Sequence, residues 1–386
     1  MKKALILQLA RFGDILQTVP LLKNLKRKNY KITILIDEKN SFFIDDIPYI
    51  DDVKFFKISD FINEIRVGNF LSCHEKIKKF LNDLNRENFN LLINLNHSEI
   101  NYFLSTYLNV PKKIGFKLEK RKFFDFLYEI VGKDRKLNPF NLVDIFNHMV
   151  ENPDIFKLDL GEKVKNFGKF LNYIVIHLGA GHPIRVLDFE IMGKFAKIFL
   201  KNYNNFNIIL TGTEKEKEIV NKFLKFVNDS RIIDLSGKTD YYELKFILKK
   251  AKILISTDTG VMHLASALKT NIIALFFTSA FPFETGPYTE NALILTPDLD
   301  CYPCKEFSHC RSLKCKKLIT PEDILSCCNY FLKNEKLKKF SESIICYRPY
   351  FDNWGINLKE ITENRDKNYK LREKIRKEGI SYAKKF

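Results

Sequence analysis

The chain has 386 residues, 45% hydrophobic and 29% charged, and its 64 Lys and Arg against 47 Asp and Glu give a net charge of +17. This composition excludes a disordered protein, and at roughly 150 residues per domain the length predicts two domains, each able to bury its own core. No apolar run reaches the roughly 18 residues that a membrane-spanning helix needs.

The basic excess is mostly lysine, 51 Lys against 13 Arg, in a chain also crowded with Asn, Ile and Phe. Lysine is the weaker choice for planar, bidentate phosphate recognition. The charge therefore predicts no nucleic-acid partner by itself, only a field that attracts anionic lipid or phosphorylated substrates. The start, Met1-Lys2-Lys3 followed by Ala4 to Ala10, imitates a signal peptide. It runs straight into Arg11, Gly13 and Asp14 without a small-residue cleavage site, which predicts a buried first strand and a cytoplasmic protein.

In chain order, buried strands are predicted at Ala4 to Leu9, Lys31 to Ile36 and Leu91 to Leu95, with a helix from Ile15 to Lys26 after the first. A second series lies at Tyr173 to His177, Asn207 to Thr211, Ile253 to Ser256 and Asn271 to Phe276. Apolar strands alternating with helical stretches are the pattern of an α/β parallel sheet, so each half reads as a Rossmann-like unit. Between them residues 150 to 170 form a polar, Lys-rich connector, read as the hinge. Ligands in such sheets sit beyond the carboxyl ends of the strands, and the suggestive residues fall just after strands.

The first motif, residues 9 to 20, places Gly13 and Asp14 at a strand-to-helix turn. Gly13 permits a tight backbone, and Asp14 sits at or near the helix N-cap. From the residues alone a cap is the plainer role for Asp14; the sharper one is a general base, and a carboxylate tied up by backbone N–H groups is a poorer base. The second motif, Ile176-His177-Leu178-Gly179-Ala180-Gly181-His182-Pro183-Ile184-Arg185, leads a strand into a Gly-rich loop. Its backbone N–H groups could cradle phosphate with Arg185 adding a bidentate charge, or the loop could be a structural turn. The third, Ser256-Thr257-Asp258-Thr259-Gly260-Val261-Met262-His263, ends a strand and opens a helix. Asp258 and Thr259 supply caps, Gly260 admits a ligand, the helix N-terminus is an anion site, and His263 lies on the first turn. Glu214, after another strand, could accept from a ribose diol or be a solvated first-turn residue, with Glu216 a competitor for the same register.

Gly13-Asp14 with downstream Pro20, the Ile-His-Leu-Gly-Ala-Gly stretch, and Asp258-Thr-Gly-x-x-His263-Leu-Ala-x-Ala-Leu268 followed by Gly286-Pro287-Tyr288 resemble glycosyltransferase family 9, the ADP-heptose:lipopolysaccharide heptosyltransferases. The resemblance runs from about residue 3 to residue 325. It implies an α/β GT-B fold, two Rossmann-like domains facing each other across a cleft. An acceptor domain would span 1–165, a nucleotide-sugar donor domain 166–330, and a basic C-terminal helical extension 331–386. It also implies an inverting, metal-independent transfer of a heptose or related sugar from ADP-heptose to a lipopolysaccharide core acceptor, with no cofactor. Asp14 becomes the general base with Gly13 on the acceptor side; Gly179, Gly181, Arg185, Glu214, Asp258, Thr259, Gly260 and His263 become the donor site. The implied partners are the nucleotide-sugar donor, a lipid-anchored oligosaccharide acceptor and the anionic cytoplasmic face of the inner membrane, with no nucleic acid. Ala10, Arg11 and Phe12 stand where many family members carry small polar residues.

Four of eight cysteines cluster as Cys301-x2-Cys304-x5-Cys310-x4-Cys315, a spacing that suits zinc, an iron–sulfur cluster or a loop of free thiols. The last stretch, Asn357 to Phe386, reads as an amphipathic helix, and residues 331–386 carry a net +7. Two further readings stay open: a related transferase with another nucleotide-sugar donor, and a non-enzymatic nucleic-acid-binding protein built on the basic surface and the Cys cluster. A Rossmann oxidoreductase is disfavoured, since no Gly-x-Gly-x-x-Gly follows the first strand.

Overall fold

Residues 1–118, 132–304, 310 and 312–383 are described by the computed structural model. They form two units: residues 1–118 with 143–156, and residues 132–142 with 157–382.

The first unit holds a five-stranded parallel sheet of β1 (Lys2–Leu7), β2 (Tyr30–Asp37), β3 (Asp52–Phe56), β4 (Leu91–Asn94) and β5 (Lys112–Gly115), in the order β3-β2-β1-β4-β5. Leu5, Leu7, Leu35 and Leu92 from its strands are buried with Leu84 and Leu104 from the helices that cover it. β3 and β5 escape the sequence reading because Asp52, Lys54, Lys112 and Lys113 interrupt any apolar run. The single helix expected over Ile15 to Lys26 is broken into Phe12–Leu16 and Val19–Arg27, with Pro20 in the first turn of the second, where its missing N–H costs nothing.

The second unit holds eight strands: β6 (Tyr173–His177), β7 (Asn207–Thr211), β8 (Ile232–Asp234), β9 (Leu254–Ser256), β10 (Ile272–Leu275), β11 (Ala292–Pro297), β12 (Ile344–Phe351) and β13 (Ile356–Glu360). Their order is β13-β12-β11-β10-β9-β6-β7-β8. β6 to β11 are parallel, and by order of appearance they read 3-2-1-4-5-6 across the sheet, the dinucleotide-fold order. β12 and β13 are antiparallel additions.

Residues 331–386 are thus not helical throughout. A hairpin completes the sheet first, and the helix expected from Asn357 begins at Tyr369 and ends at Ala383. Arg376 gives that helix three of its contacts: paired bonds to Asp352 (Nε to Oδ2 and Nη2 to Oδ1, both 2.9 Å) and Nη1 to Pro139 O at 3.1 Å, while Arg372 pairs with Asp366 and Glu373 accepts from Asn357. Burial alone would raise the Asp352 carboxyl, but Arg376 and the Trp354 and Gly355 N–H groups hold it below the usual range.

The connector is no free hinge over its second part. Lys165 pairs with Asp240 and Glu243 (2.8 and 2.7 Å), and buried Lys245 reaches Gly161 O at 2.5 Å, so residues 161–165 lie on the helix Tyr241–Lys250. No helix among the described residues is long and apolar enough to cross a membrane.

Replacing Arg376 by Met removes the cation that, among the described residues, compensates Asp352. It is expected to lower unfolding stability by about 2–4 kcal/mol, read as a lower urea midpoint at unchanged slope; a loss below about 0.5 kcal/mol would show that the helix is not held by this pair.

Candidate functional site

In a doubly wound sheet two neighbouring strands at the order reversal send their crossovers to opposite faces, and the loops beyond them open a crevice. In the second unit these strands are β6 and β9. The loop after β6 carries Gly179, Gly181 and Arg185, and the loop after β9 carries Asp258, Thr259 and Gly260.

Those two loops meet. Arg185 Nη1 lies 3.2 Å from Asp258 Oδ2, and both side chains are mostly buried, 16% and 10% exposed. Thr285 Oγ1 donates to the same oxygen at 3.0 Å, and His263 Nε2 faces the other, Oδ1, at 3.6 Å. Burial alone would raise the Asp258 carboxyl; the His263 contact, the charge of Arg185 and the Thr285 hydroxyl outweigh it and hold the group ionised below the usual carboxylate range. Arg185 Nε donates to Ser279 Oγ at 3.0 Å, while its Nη2 has no partner among the described residues.

Thr259, not Asp258, caps the helix Gly260–Ala267: its Oγ1 accepts from Met262 N–H at 3.4 Å and meets Ser256 Oγ at 3.0 Å. Asp258 is therefore spent on side chains. His263 is buried, and its Nδ1 has no hydrogen-bond partner among the described residues.

Glu214 and Glu216 take different places. Glu216 Oε2 accepts from Thr213 N–H (2.6 Å) and Oγ1 (3.0 Å), and its Oε1 lies 1.7 Å from where a Cβ on Gly179 would stand. Only glycine at 179 lets that carboxylate under the loop. Glu214 is 72% exposed and pairs with Lys217 at 2.7 Å.

Behind this cluster lies a set that motif reading missed. Arg135 bonds Glu284 through Nε (3.0 Å) and Nη2, and donates to Ser279 O (2.9 Å) and Cys304 O (3.0 Å). Ser279 thus joins Arg135 to Arg185, and Glu284 adjoins Thr285, which closes a circuit back to Asp258. Thr278 sits at φ +57, a conformation β-branched residues rarely adopt, and its carbonyl accepts from Cys304 N–H at 2.7 Å. Nothing in the spacing of Arg135, Thr278, Ser279 or Glu284 marks them; only Gly286-Pro287-Tyr288 close behind signals the loop.

In the first unit the corresponding strands are β1 and β4. Asp14 is the third residue of its helix, not the cap, and one carboxylate oxygen accepts from Arg11 N–H at 3.0 Å. Phe12 packs edge-on against Phe43 at 4.6 Å, and Gly13 is buried. After β4, a set of amides unmarked in the sequence gathers: Asn101 Nδ2 donates to Asn94 Oδ1 (3.0 Å), Asn94 Nδ2 to Phe116 O (2.9 Å) and Asn96 Nδ2 to Gln8 Oε1 (3.4 Å).

Cys301 and Cys310 are exposed, Cys304 is half-buried and Cys315 buried, and among the described residues no three His, Cys, Asp or Glu side chains converge as metal ligands. Residues 305–309 and 311 lie outside the described residues.

The charge balance at Asp258 has a pH signature. A carboxyl held below its unfolded value adds stability that is complete above the usual carboxylate range and lost as pH falls through the folded value. Replacing Arg185 by Leu removes one of the lowering charges, so the acid limb of stability is expected to move to higher pH, starting above about pH 4. Urea midpoints measured from neutral to acid pH would show it, and superimposable limbs for both proteins would refute the coupling.

The family model of glycosyltransferase family 9 (heptosyltransferase) matches residues 77–315. Lipopolysaccharide heptosyltransferase 3 of Escherichia coli K12 is 26% identical over 303 residues, covering 73% of this chain and 84% of that protein. Lipooligosaccharide heptosyltransferase 2 of Campylobacter jejuni is 29% identical over 148 residues, which cover 37% of this chain and 46% of that protein. Among solved structures, the ADP-heptose lps heptosyltransferase II of Escherichia coli aligns with a TM-score of 0.65 at 16% identity, over 87% of this chain and 100% of that one. At that identity the likeness shows the fold, which is GT-B. With more than half of its length matched by the family model, the chain belongs to glycosyltransferase family 9, a family of sugar-transferring enzymes.

Proposed function

We propose that this protein transfers a heptose from ADP-heptose to a lipopolysaccharide core acceptor, with inversion at the anomeric carbon, Asp14 as general base and no divalent metal. The observation that supports it most is the Arg185–Asp258 pair between the loops after β6 and β9, beside the N-terminus of the helix Gly260–Ala267. A nucleoside diphosphate needs fixed positive charge, and these parts supply it without a metal. Arg185, oriented by Ser279 and Asp258, keeps its Nη2 donors for the diphosphate, while the N–H groups at Gly260 and the helix dipole add to the same field. Gly179 and Gly181 let the backbone of the first loop approach. Thr259 fixes the helix start, and His263 steadies Asp258. Exposed Glu214 is assigned the ribose diol, and Glu216 supports the loop from below.

The step balances as a single displacement. The acceptor hydroxyl gives its proton to Asp14, its oxygen forms the new bond to the anomeric carbon, and the bond from that carbon to the diphosphate oxygen breaks. The leaving ADP gains negative charge as this happens, so a field already in place stabilises the transition state more than the ground state. Gly13 keeps the backbone beside Asp14 tight, and the buried amides of Gln8, Asn94 and Asn101 fix the loop after the fourth strand.

Calorimetric titration with ADP, GDP and UDP in the absence of divalent metal tests the donor side. Selective ADP binding is expected, weakened at least about tenfold by Asp258→Ala and retained by Asp14→Asn. In a turnover assay with ADP-heptose and a lipopolysaccharide acceptor, Asp14→Asn should lower kcat by about 10²–10⁴ with little change in donor KM. Absence of nucleotide binding would sink the transferase reading, and an Asp14→Asn enzyme of full activity would sink Asp14 as base.

A further inference from the structure

Residues 132–142 precede the connector in the chain, yet they belong to the second unit. They form a brace: a short 3₁₀ helix over Gly132–Leu137, followed by Asn138, Pro139 and Phe140, all buried. The C-terminal helix Tyr369–Ala383 holds this brace by its carbonyls, with Arg372 donating to Lys136 O and Arg376 to Pro139 O at 3.1 Å. Phe140 packs on Trp354 at 5.1 Å, and Lys136 Nζ reaches Asp300 O.

Toward the loops after β10 and β11 the brace presents Arg135. Glu284 is buried and needs a cation; Arg135 Nε meets both its carboxylate oxygens at 3.0 Å, and Nη2 meets one of them again. The same guanidinium donates Nη2 to Ser279 O at 2.9 Å and Nη1 to Cys304 O at 3.0 Å, and Asn141 Nδ2 donates to Gly286 O at 3.3 Å. One planar fork thus serves a carboxylate and two carbonyls in fixed directions, which an ammonium does not match. Thr278 O, Ser279 O and Ala280 O accept in succession from Cys304 N–H (2.7 Å), Arg135 and the Tyr302 hydroxyl (2.8 Å). Three consecutive fixed carbonyls leave Ser279 little freedom, and its Oγ accepts from Arg185 Nε. The far end of the same segment gives Thr285 to Asp258.

We propose, resting on the diphosphate assignment above, that Arg135 is a positioning residue of the donor site: without touching substrate, it sets through Ser279 and Glu284 where Arg185 and Asp258 stand. The brace and the C-terminal helix behind it thereby acquire a part in the transfer, that of keeping the field on the leaving diphosphate aimed. Because Arg135 acts through Arg185, its effect on ligand binding has to disappear once Arg185 is gone.

The test is a double-mutant cycle in the full chain, read by calorimetric titration with ADP and, separately, with inorganic pyrophosphate. Arg135→Leu alone strands the Glu284 carboxylate, so it is combined with Glu284→Leu, which leaves no unpaired charge behind. Arg135→Lys, which keeps the ion pair and loses the fork, is the second variant. Both are expected to melt cooperatively and to bind ADP at least about fivefold more weakly. Partial unfolding would instead lower the binding stoichiometry at unchanged Kd. In turnover with ADP-heptose, kcat should fall by a larger factor than donor KM rises, since a misaimed field costs most as the leaving charge develops. In an Arg185→Leu background the same changes should weaken binding, or kcat/KM where binding is too weak to titrate, by less than about twofold. Equal losses in the two backgrounds would overturn the proposal, as would variants with the parent's affinity and kcat, or loss of a cooperative melt in both variants, which would make the role of Arg135 structural. Pyrophosphate separates this outcome from the transferase reading: a parent that binds pyrophosphate but no ADP sinks that reading while the cycle is still read on pyrophosphate, and a parent that binds neither overturns both.

Discussion

The ionised carboxylate of Asp258 is the constraint around which the second unit's loops are arranged. With little solvent left around it, the group needs compensation from the protein, and an incompletely paired charge in that position would cost several kcal/mol. Arg185 from the loop after β6, Thr285 from the short helix after β10 and His263 from the helix after β9 provide it. Each of those partners is constrained in turn. Arg185 is turned by Ser279, whose carbonyl is held by Arg135, and Arg135 is held by Glu284 beside Thr285. A closed circuit of this kind has few ways to relax, so the orientation of Arg185 follows from contacts spread over some 150 residues of chain separation.

That rigidity has a chemical use on the proposed reading. A catalytic field stabilises a transition state only if its dipoles are aimed before the charge develops, and side chains that must reorganise give the gain away. The strained φ of Thr278 belongs to the same economy of position. Its carbonyl is pointed at Cys304 N–H, and a relaxed backbone there would move Ser279. In the first unit the equivalent place is built from neutral amides bonded to one another and to backbone carbonyls.

What could be read from the sequence follows from how local each signal is. β6 and β7 carry their apolar runs intact, and their bounds in the sequence and in the structure coincide at Tyr173–His177 and Asn207–Thr211. The strand-to-loop junctions at Gly179 and Gly260 were legible for the same reason, since glycine and capping residues act within a few positions of themselves. The tail was not. Pro349 stands inside β12 opposite Leu358, where a proline argues against a central strand, and Lys359 and Glu360 end β13 in charge, so the period of the hairpin is hidden. Arg135 was out of reach altogether, because its meaning lies in Glu284, 149 residues away.

The two glutamates after β7 show how one residue's local duty sets another's function. A helix start leaves backbone N–H groups to satisfy, and in a capping box the acidic residue three places on turns back to do it. Thr213 and Glu216 form that box. Glu216 is committed to the backbone and to the space that Gly179 leaves open, which keeps its side chain 18% exposed beside His177. Glu214 lies within the same turn but has no such obligation, and its exposed carboxylate pairs with Lys217 and passes close over Gly237. A ligand diol competes poorly for a carboxylate already bonded to N–H groups and readily for one that exchanges a surface ion pair, whose net worth is at most about 1 kcal/mol. On the proposed reading, capping commits Glu216 to the backbone and leaves Glu214 for the ribose diol.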